Sequence, residues 1–211
     1  MTLLTARTEL DPRQQEIFSF CEAYFFAHEN PALVNKNARY FAEGYDAFGI
    51  DEEQLRELRD QLLERFDPSV SELAELAYHL FATGKYEFGS LALMLLKKHR
   101  PRLDRGVFDQ LKRSLDEVVE NWAHSDVIAT KLTPVLLELK VVDLADFEPW
   151  RVSASKWTRR VAAVTLLFLR GHRPVEQLLQ FIQPLMQDGT RPVQQGVGWF
   201  LRELWKVHPR E

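Results

Sequence analysis

The 211-residue chain holds one cysteine, Cys21, so a disulfide within the chain and a cysteine-built metal site are both excluded. Residues 17–26 around it are apolar and helical in pattern, which predicts a buried thiol. No stretch approaches about 18 uninterrupted apolar residues. Acidic residues stand near the N-terminus where a secretory leader would carry its apolar run. Neither a membrane span nor a leader is expected, and the protein is read as cytoplasmic. Period-two alternation bounded by tight Asn-Gly or Asp-Gly turns is missing, so strands are not indicated. Phosphate-binding and dinucleotide Gly-rich loops, HExxH, GxSxG and EF-hand patterns are missing as well. The six histidines never pair at i, i+4 with an acid partner as a zinc helix requires. No metal and no cofactor are expected.

What is present is charge, unevenly placed. The formal net charge of −4 divides into 7 Lys/Arg against 16 Asp/Glu over residues 1–78 and 20 against 15 over residues 79–211. The later part is the candidate phosphate-facing part, although an asymmetry of this size also occurs on ordinary solvated helix faces.

Helix-start signals recur. Asp11-Pro12, Asn30-Pro31 and Asp67-Pro68 each place a capping side chain beside proline, and Asp51 precedes Glu52 and Glu53. Between them apolar residues repeat at three and four positions, as in Leu55, Leu58, Leu62 and in Leu73, Leu76, Leu80. Helices are predicted at 11–28, 31–45, 51–65, 68–83, 85–98, 104–119, 124–139, 144–151, 155–170, 174–187 and 190–207. Short helices joined by short polar turns form antiparallel pairs, each leaving an apolar face for its neighbour to cover. The fold class is therefore all-α, a curved HEAT-like solenoid, read as one domain over 1–211. Trp122, Trp157 and Trp199, 35 and 42 residues apart, fall near the length of one two-helix unit.

A few residues depart from the core pattern. In the last helix Val193, Val197, Phe200, Leu201 and Leu204 make the apolar stripe, whereas Trp199 sits among Gln195, Arg202 and Lys206. Gly196 and Gly198 beside it would admit a backbone or a ligand. Trp199 is thus either a ligand contact or a tryptophan packed under a neighbouring helix. Arg160 flanks the buried face of Trp157, Val161, Val164 and Phe168, while Arg159 points elsewhere. Arg160 can reach a phosphate or carboxylate, or simply cover apolar surface with its stem. Trp122 and Asp126 are four apart at a helix entrance, on one side of the helix if it is continuous. Asp126 can equally serve as a helix N-terminal acid, and His124 between them is a minor catalytic candidate.

Three stretches then carry a resemblance: Asn-Trp-Ala-His-Ser-Asp at 121–126, Lys-Trp-Thr-Arg-Arg-Val-Ala at 156–162, and Gln-Gln-Gly-Val-Gly-Trp-Phe-Leu-Arg-Glu-Leu at 194–204. In order, spacing and helical context the sequence resembles the HEAT-like-repeat DNA alkylation repair enzymes, the alkylpurine DNA glycosylases, over essentially its whole length. A fourth match aligns residues 39–50 with that family's N-terminal tyrosine helix and following glycine. The resemblance implies that Asp126 is the catalytic carboxylate, that Trp122 and Trp199 wall the damaged nucleotide, and that Arg160 contacts the adjoining backbone. It implies DNA contacts from Tyr40, Arg159, Gln195, Arg202 and Lys206. Gln195 stands where the family often has lysine, and Ala123 replaces a usual acid. The implied partner is double-stranded DNA containing alkylated bases, bound by a monomer without membrane or metal.

The implied chemistry needs little. Alkylation at N3 or N7 makes a purine cationic, so it can leave without a general acid. One carboxylate near C1′ then stabilises the oxocarbenium-like sugar and holds a water. Indole faces favour a nearby cation by roughly 0.5–2 kcal/mol each, which separates a cationic lesion from a neutral base without a tight pocket. The same scaffold also allows a catalytically silent DNA-structure-binding protein or a protein-interaction scaffold.

Overall fold

A computed structural model describes residues 10–209. Among these residues the regular elements are all helical, as the sequence predicts, and no helix is long and apolar enough to cross a membrane. The contacts gather into two compact units, residues 1–102 and 103–211.

The first unit contains α1 (Pro12–Ala27), α2 (Pro31–Ala38), α3 (Glu52–Phe66), α4 (Val70–Ala82) and α5 (Tyr86–Lys98). Its start signals act as expected at Asp11, Asn30 and Asp51, whose side chains accept backbone N–H groups of the first turn. At Asp67 the expectation fails. Asp67 closes α3 in the left-handed region at φ 41°, and Ser69 caps α4 through a reciprocal pair with Glu72. The three residues between α4 and α5 turn at Gly84, φ +73°, and set the two helices antiparallel. Phe18, Phe25 and Phe88 interlock at ring separations of 4.8 and 4.9 Å. Cys21 lies among them at 0% exposure, and burial pushes its thiol far above the usual cysteine range.

The helix predicted over 31–45 stops at Ala38. From there to Ile50 the chain is irregular, because its aromatics pack on α5: Phe41 and Tyr45 both meet Tyr86, at 5.3 and 5.1 Å. Glu87, 0% exposed, fixes the end of this segment by accepting the backbone N–H groups of Phe48, Gly49 and Ile50 at 2.9, 2.7 and 3.2 Å. Three charge-assisted bonds satisfy a carboxylate that would otherwise be costly to bury.

The second unit holds α6 (Arg105–Glu117), α7 (Trp122–Val127), a π-helical turn (Ile128–Leu132), α8 (Thr133–Glu138), α9 (Glu148–Arg151), α10 (Lys156–Leu169), α11 (Val175–Ile182) and α12 (Arg191–Val207). The α7–α8 rod, α10 and α12 form a parallel row. Asp126 meets Arg160 near the rod's start and Thr133 Oγ1 meets Thr165 Oγ1 further along. Arg160 reaches the Pro192 carbonyl at the start of α12, and His208 Nε2 meets the Arg170 carbonyl at its end. The repeat is thus set by Asp126, Arg160 and Pro192, at steps of 34 and 32 residues. The tryptophans, 35 and 42 residues apart, do not keep this step. Behind the row, Phe108, Phe147 and Trp150 stack α6 on α9 at 4.9–5.2 Å.

Candidate functional site

Asp126 and Arg160, 34 residues apart in sequence, form a two-pronged ion pair. Arg160 Nε donates to Oδ1 and its second terminal nitrogen to Oδ2, each at 2.8 Å. The remaining terminal nitrogen donates to the Pro192 carbonyl at 2.5 Å. The side chains are 17% and 8% exposed, so the carboxylate faces solvent along one edge while its guanidinium is sunk between helices. Gly196 packs against that guanidinium's stem. A Cβ there would lie 3.5 Å from Arg160 Cγ, an ordinary contact, and a tight 3.2 Å from Val164 Cγ2, so the missing side chain lets α12 sit close on α10. A carboxylate offers about four lone-pair sites. Arg160 occupies one on each oxygen and leaves the others for a ligand.

Trp122 is the first residue of α7, one turn before Asp126, and is 42% exposed. Asn121 caps that turn, accepting from the His124 backbone N–H and donating its amide to His124 Nδ1, both at 2.9 Å. His124 is 5% exposed, so this histidine belongs to the cap. The helix expected to run unbroken through 124–139 widens into a π turn just past Asp126. Pro134 has no N–H for the Thr130 carbonyl. The ladder slips to a five-residue bond from Thr133 N to Ile128 O. The Thr130 and Thr133 hydroxyls take the Asp126 and Ala129 carbonyls at 2.7 and 2.9 Å. On either side of this slip Asp126 and Thr133 both reach α10, Asp126 through Arg160 with its side chain 17% exposed and Thr133 through Thr165 fully buried.

On α12, Gln195 is exposed and Trp199 partly exposed; they lie one turn apart and flank Gly196 and Gly198. Arg202 and Lys206, 63% and 56% exposed, share the Glu203 carboxylate at 3.4 and 2.8 Å. Exposed pairs of this kind contribute at most about 1 kcal/mol, so a phosphate can displace Glu203 at small cost.

Residues 21–211 match the family of DNA alkylation repair enzymes. The chain belongs to this family. No curated protein matches it. Among solved structures it is similar to one described as a predicted DNA alkylation repair enzyme from Enterococcus faecalis, at 20% identity and a TM-score of 0.74, over 87% of this chain and 86% of that one. That likeness shows the all-helical fold is shared. Membership gives the protein a role in DNA repair.

Within a DNA alkylation repair protein the remaining residues of interest divide. Arg159 is turned onto its own loop. It bonds both Asp188 oxygens, at 2.5 and 3.4 Å, and the carbonyls of Ser153 and Ala154. With its side chain 15% exposed, it ties the entrances of α10 and α12 together. Tyr40 belongs to the first unit and lies in a turn beyond α2, where a helix is predicted. It is 57% exposed and accepts from Arg39 at 2.9 Å.

Two carboxylates escape the sequence argument. Burial would raise Asp116, but bonds from Lys112, Ser153 and Thr158 bring it below the usual carboxylate range. Burial likewise opposes Asp188, and Arg159 with the Thr190 hydroxyl and N–H outweighs it. Each joins an outer element to the entrance of an inner helix. Their only sequence signal is an acid near a helix-entry Ser or Thr, which is too common to select them.

Proposed function

We propose that the protein is a monofunctional DNA glycosylase that hydrolyses the N-glycosidic bond of cationic N3- or N7-alkylated purines in double-stranded DNA. The observation that carries this reading is the fixed, edge-exposed Asp126 carboxylate with Trp122 one turn away. Arg160 holds the carboxylate still through two charge-assisted bonds. Its free lone pairs then face the sugar, where negative charge stabilises the developing oxocarbenium ion and accepts a proton from the attacking water. Trp122 and Trp199 favour the positive charge of the lesion. Gln195, Arg202 and Lys206 supply neutral and cationic contacts to the adjoining backbone. In this reading Arg160 is a positioning residue, and its phosphate contact is limited to the N–H groups that Asp126 and Pro192 leave over.

The test is release of 7-methyl- or 3-methylpurine from alkylated duplex DNA by the purified protein. Asp126→Asn is expected to abolish release while DNA binding persists; undiminished release by that variant refutes the mechanism. The closed Asp126–Arg160 fork favours one second reading, a catalytically silent DNA-structure-binding protein. Salt-sensitive binding without base release by the wild type would select it.

A further inference from the structure

The end of α5 and the turn after it hold Lys97, Lys98, His99, Arg100, Pro101 and Arg102: four formal cations in six residues, with no carboxylate among them. These are a third of the twelve Lys/Arg in residues 1–102, a stretch that carries seventeen Asp/Glu. Lys97 and Lys98 sit in the last turn of α5, where a cation complements the helix dipole. Arg100 and Arg102 lie beyond the helix, in a short 3-10 turn, and the dipole does not call for them. Lys98, Arg100, Pro101 and Arg102 are exposed. The ridge is pinned: Leu95 and Leu96 are buried beneath it, His99 Nδ1 meets the Leu95 carbonyl at 3.0 Å, and Arg102 N donates to the His99 carbonyl at 2.8 Å.

Elsewhere in the first unit Arg13, Arg56, Arg59, Arg65 and Lys85 each meet a carboxylate. Among the described residues Lys97, Lys98 and Arg102 form no such ion pair. Lys98 acts electrostatically on Asp60, but Arg59 grips that carboxylate with two bonds, at 2.9 and 2.7 Å. A compact, rigid cationic ridge on an otherwise acidic unit suits a polyanion with closely spaced charges, and a nucleic-acid backbone is one.

We propose that Lys97, Lys98, Arg100 and Arg102 form a sequence-independent phosphate-binding site for duplex DNA, separate from the residues that act on the lesion. The inference rests on the DNA-repair role of the family and does not depend on base release. Each phosphate neutralised contributes about 0.9 to the slope of log affinity against log salt concentration.

The experiment titrates a labelled, undamaged DNA duplex with the full-length protein at a series of salt concentrations. The variant Lys97→Gln/Lys98→Gln/Arg100→Gln/Arg102→Gln is expected to lower the slope by about 2 to 4. Arg100→Lys/Arg102→Lys keeps the charge and is expected to keep the slope. Arg13→Gln/Arg56→Gln/Arg65→Gln/Lys85→Gln removes the same charge from paired positions and is expected to leave the slope unchanged, which separates a local site from net charge. Matching helical circular dichroism and thermal midpoints certify that the variants are folded. An unchanged slope in the ridge variant overturns the proposal, as does an equal drop in the paired-position variant or no binding by the wild type. Methylpurine release at saturating DNA reports separately on the glycosylase reading, since a ridge variant that loses slope but still releases base supports both.

Discussion

Asp126 and Arg160 should be strongly coupled in stability, and a double-mutant cycle of Asp126→Asn and Arg160→Met measures by how much. Solvent-exposed pairs couple by about 0.2–1 kcal/mol, while breaking a buried pair costs about 3–5 kcal/mol. At 17% and 8% side-chain exposure, with two bonds of 2.8 Å, this pair stands near the buried end. Asparagine would retain one acceptor but turn an N–H2 toward a guanidinium, so Asp126→Asn should cost about 2–4 kcal/mol. Arg160→Met also leaves the Pro192 carbonyl unsatisfied, a loss that cancels in the cycle, and the coupling should be about 2–3 kcal/mol. Urea unfolding followed by tryptophan emission isolates the right part of the molecule, because all five tryptophans lie beyond residue 102. A coupling below about 0.5 kcal/mol would refute the buried-fork reasoning. The same cost bears on activity: Asp126→Asn must be assayed where it is fully folded, and its loss of base release should persist there.

Gly198 is helical, exposed, and has nothing within 4 Å of where a Cβ would stand, so Gly198→Ala should stabilise by about 0.5–1 kcal/mol; a lower thermal midpoint would contradict this, and a raised midpoint with weakened DNA binding would locate close ligand approach there. Gly49 has φ +85°, and a Cβ would fall 2.2 Å from the Asn30 carbonyl oxygen, so Gly49→Ala should cost about 2–4 kcal/mol in denaturant midpoint. Asp188 titrates lower in the folded than in the unfolded chain. Its stabilisation is therefore complete above the unfolded carboxyl range and is lost as pH falls through the lowered folded value. Asp188→Asn should flatten the decline in urea midpoint between about pH 5 and pH 1, and an identical pH dependence would show that the Arg159 and Thr190 contacts contribute nothing.

The helices were legible because capping side chains, prolines and apolar spacing act over a few residues. Asp11, Asn30 and Asp51 do locally what their chemistry requires. Reading failed where a distant partner decides. The segment after Ala38 leaves the helix to pack Phe41 and Tyr45 on Tyr86 and to meet Glu87, nearly forty residues on. The π turn had a local signal in Pro134, whose missing N–H interrupts the helix predicted over 124–139. For Arg160 the sequence left carboxylate, phosphate and mere packing equally open, since the choice depends on how two helices slide past each other. Gly196 lets α12 lie close on α10 there, and in sequence the same small residue equally suits the approach of a ligand.

Agents that alkylate DNA are electrophiles, and a thiolate is a strong nucleophile toward them. The chain's only cysteine is sealed at 0% exposure, with its thiol held protonated by burial. The most reactive nucleophile a protein ordinarily offers is thereby withdrawn from the chemistry that creates the damage.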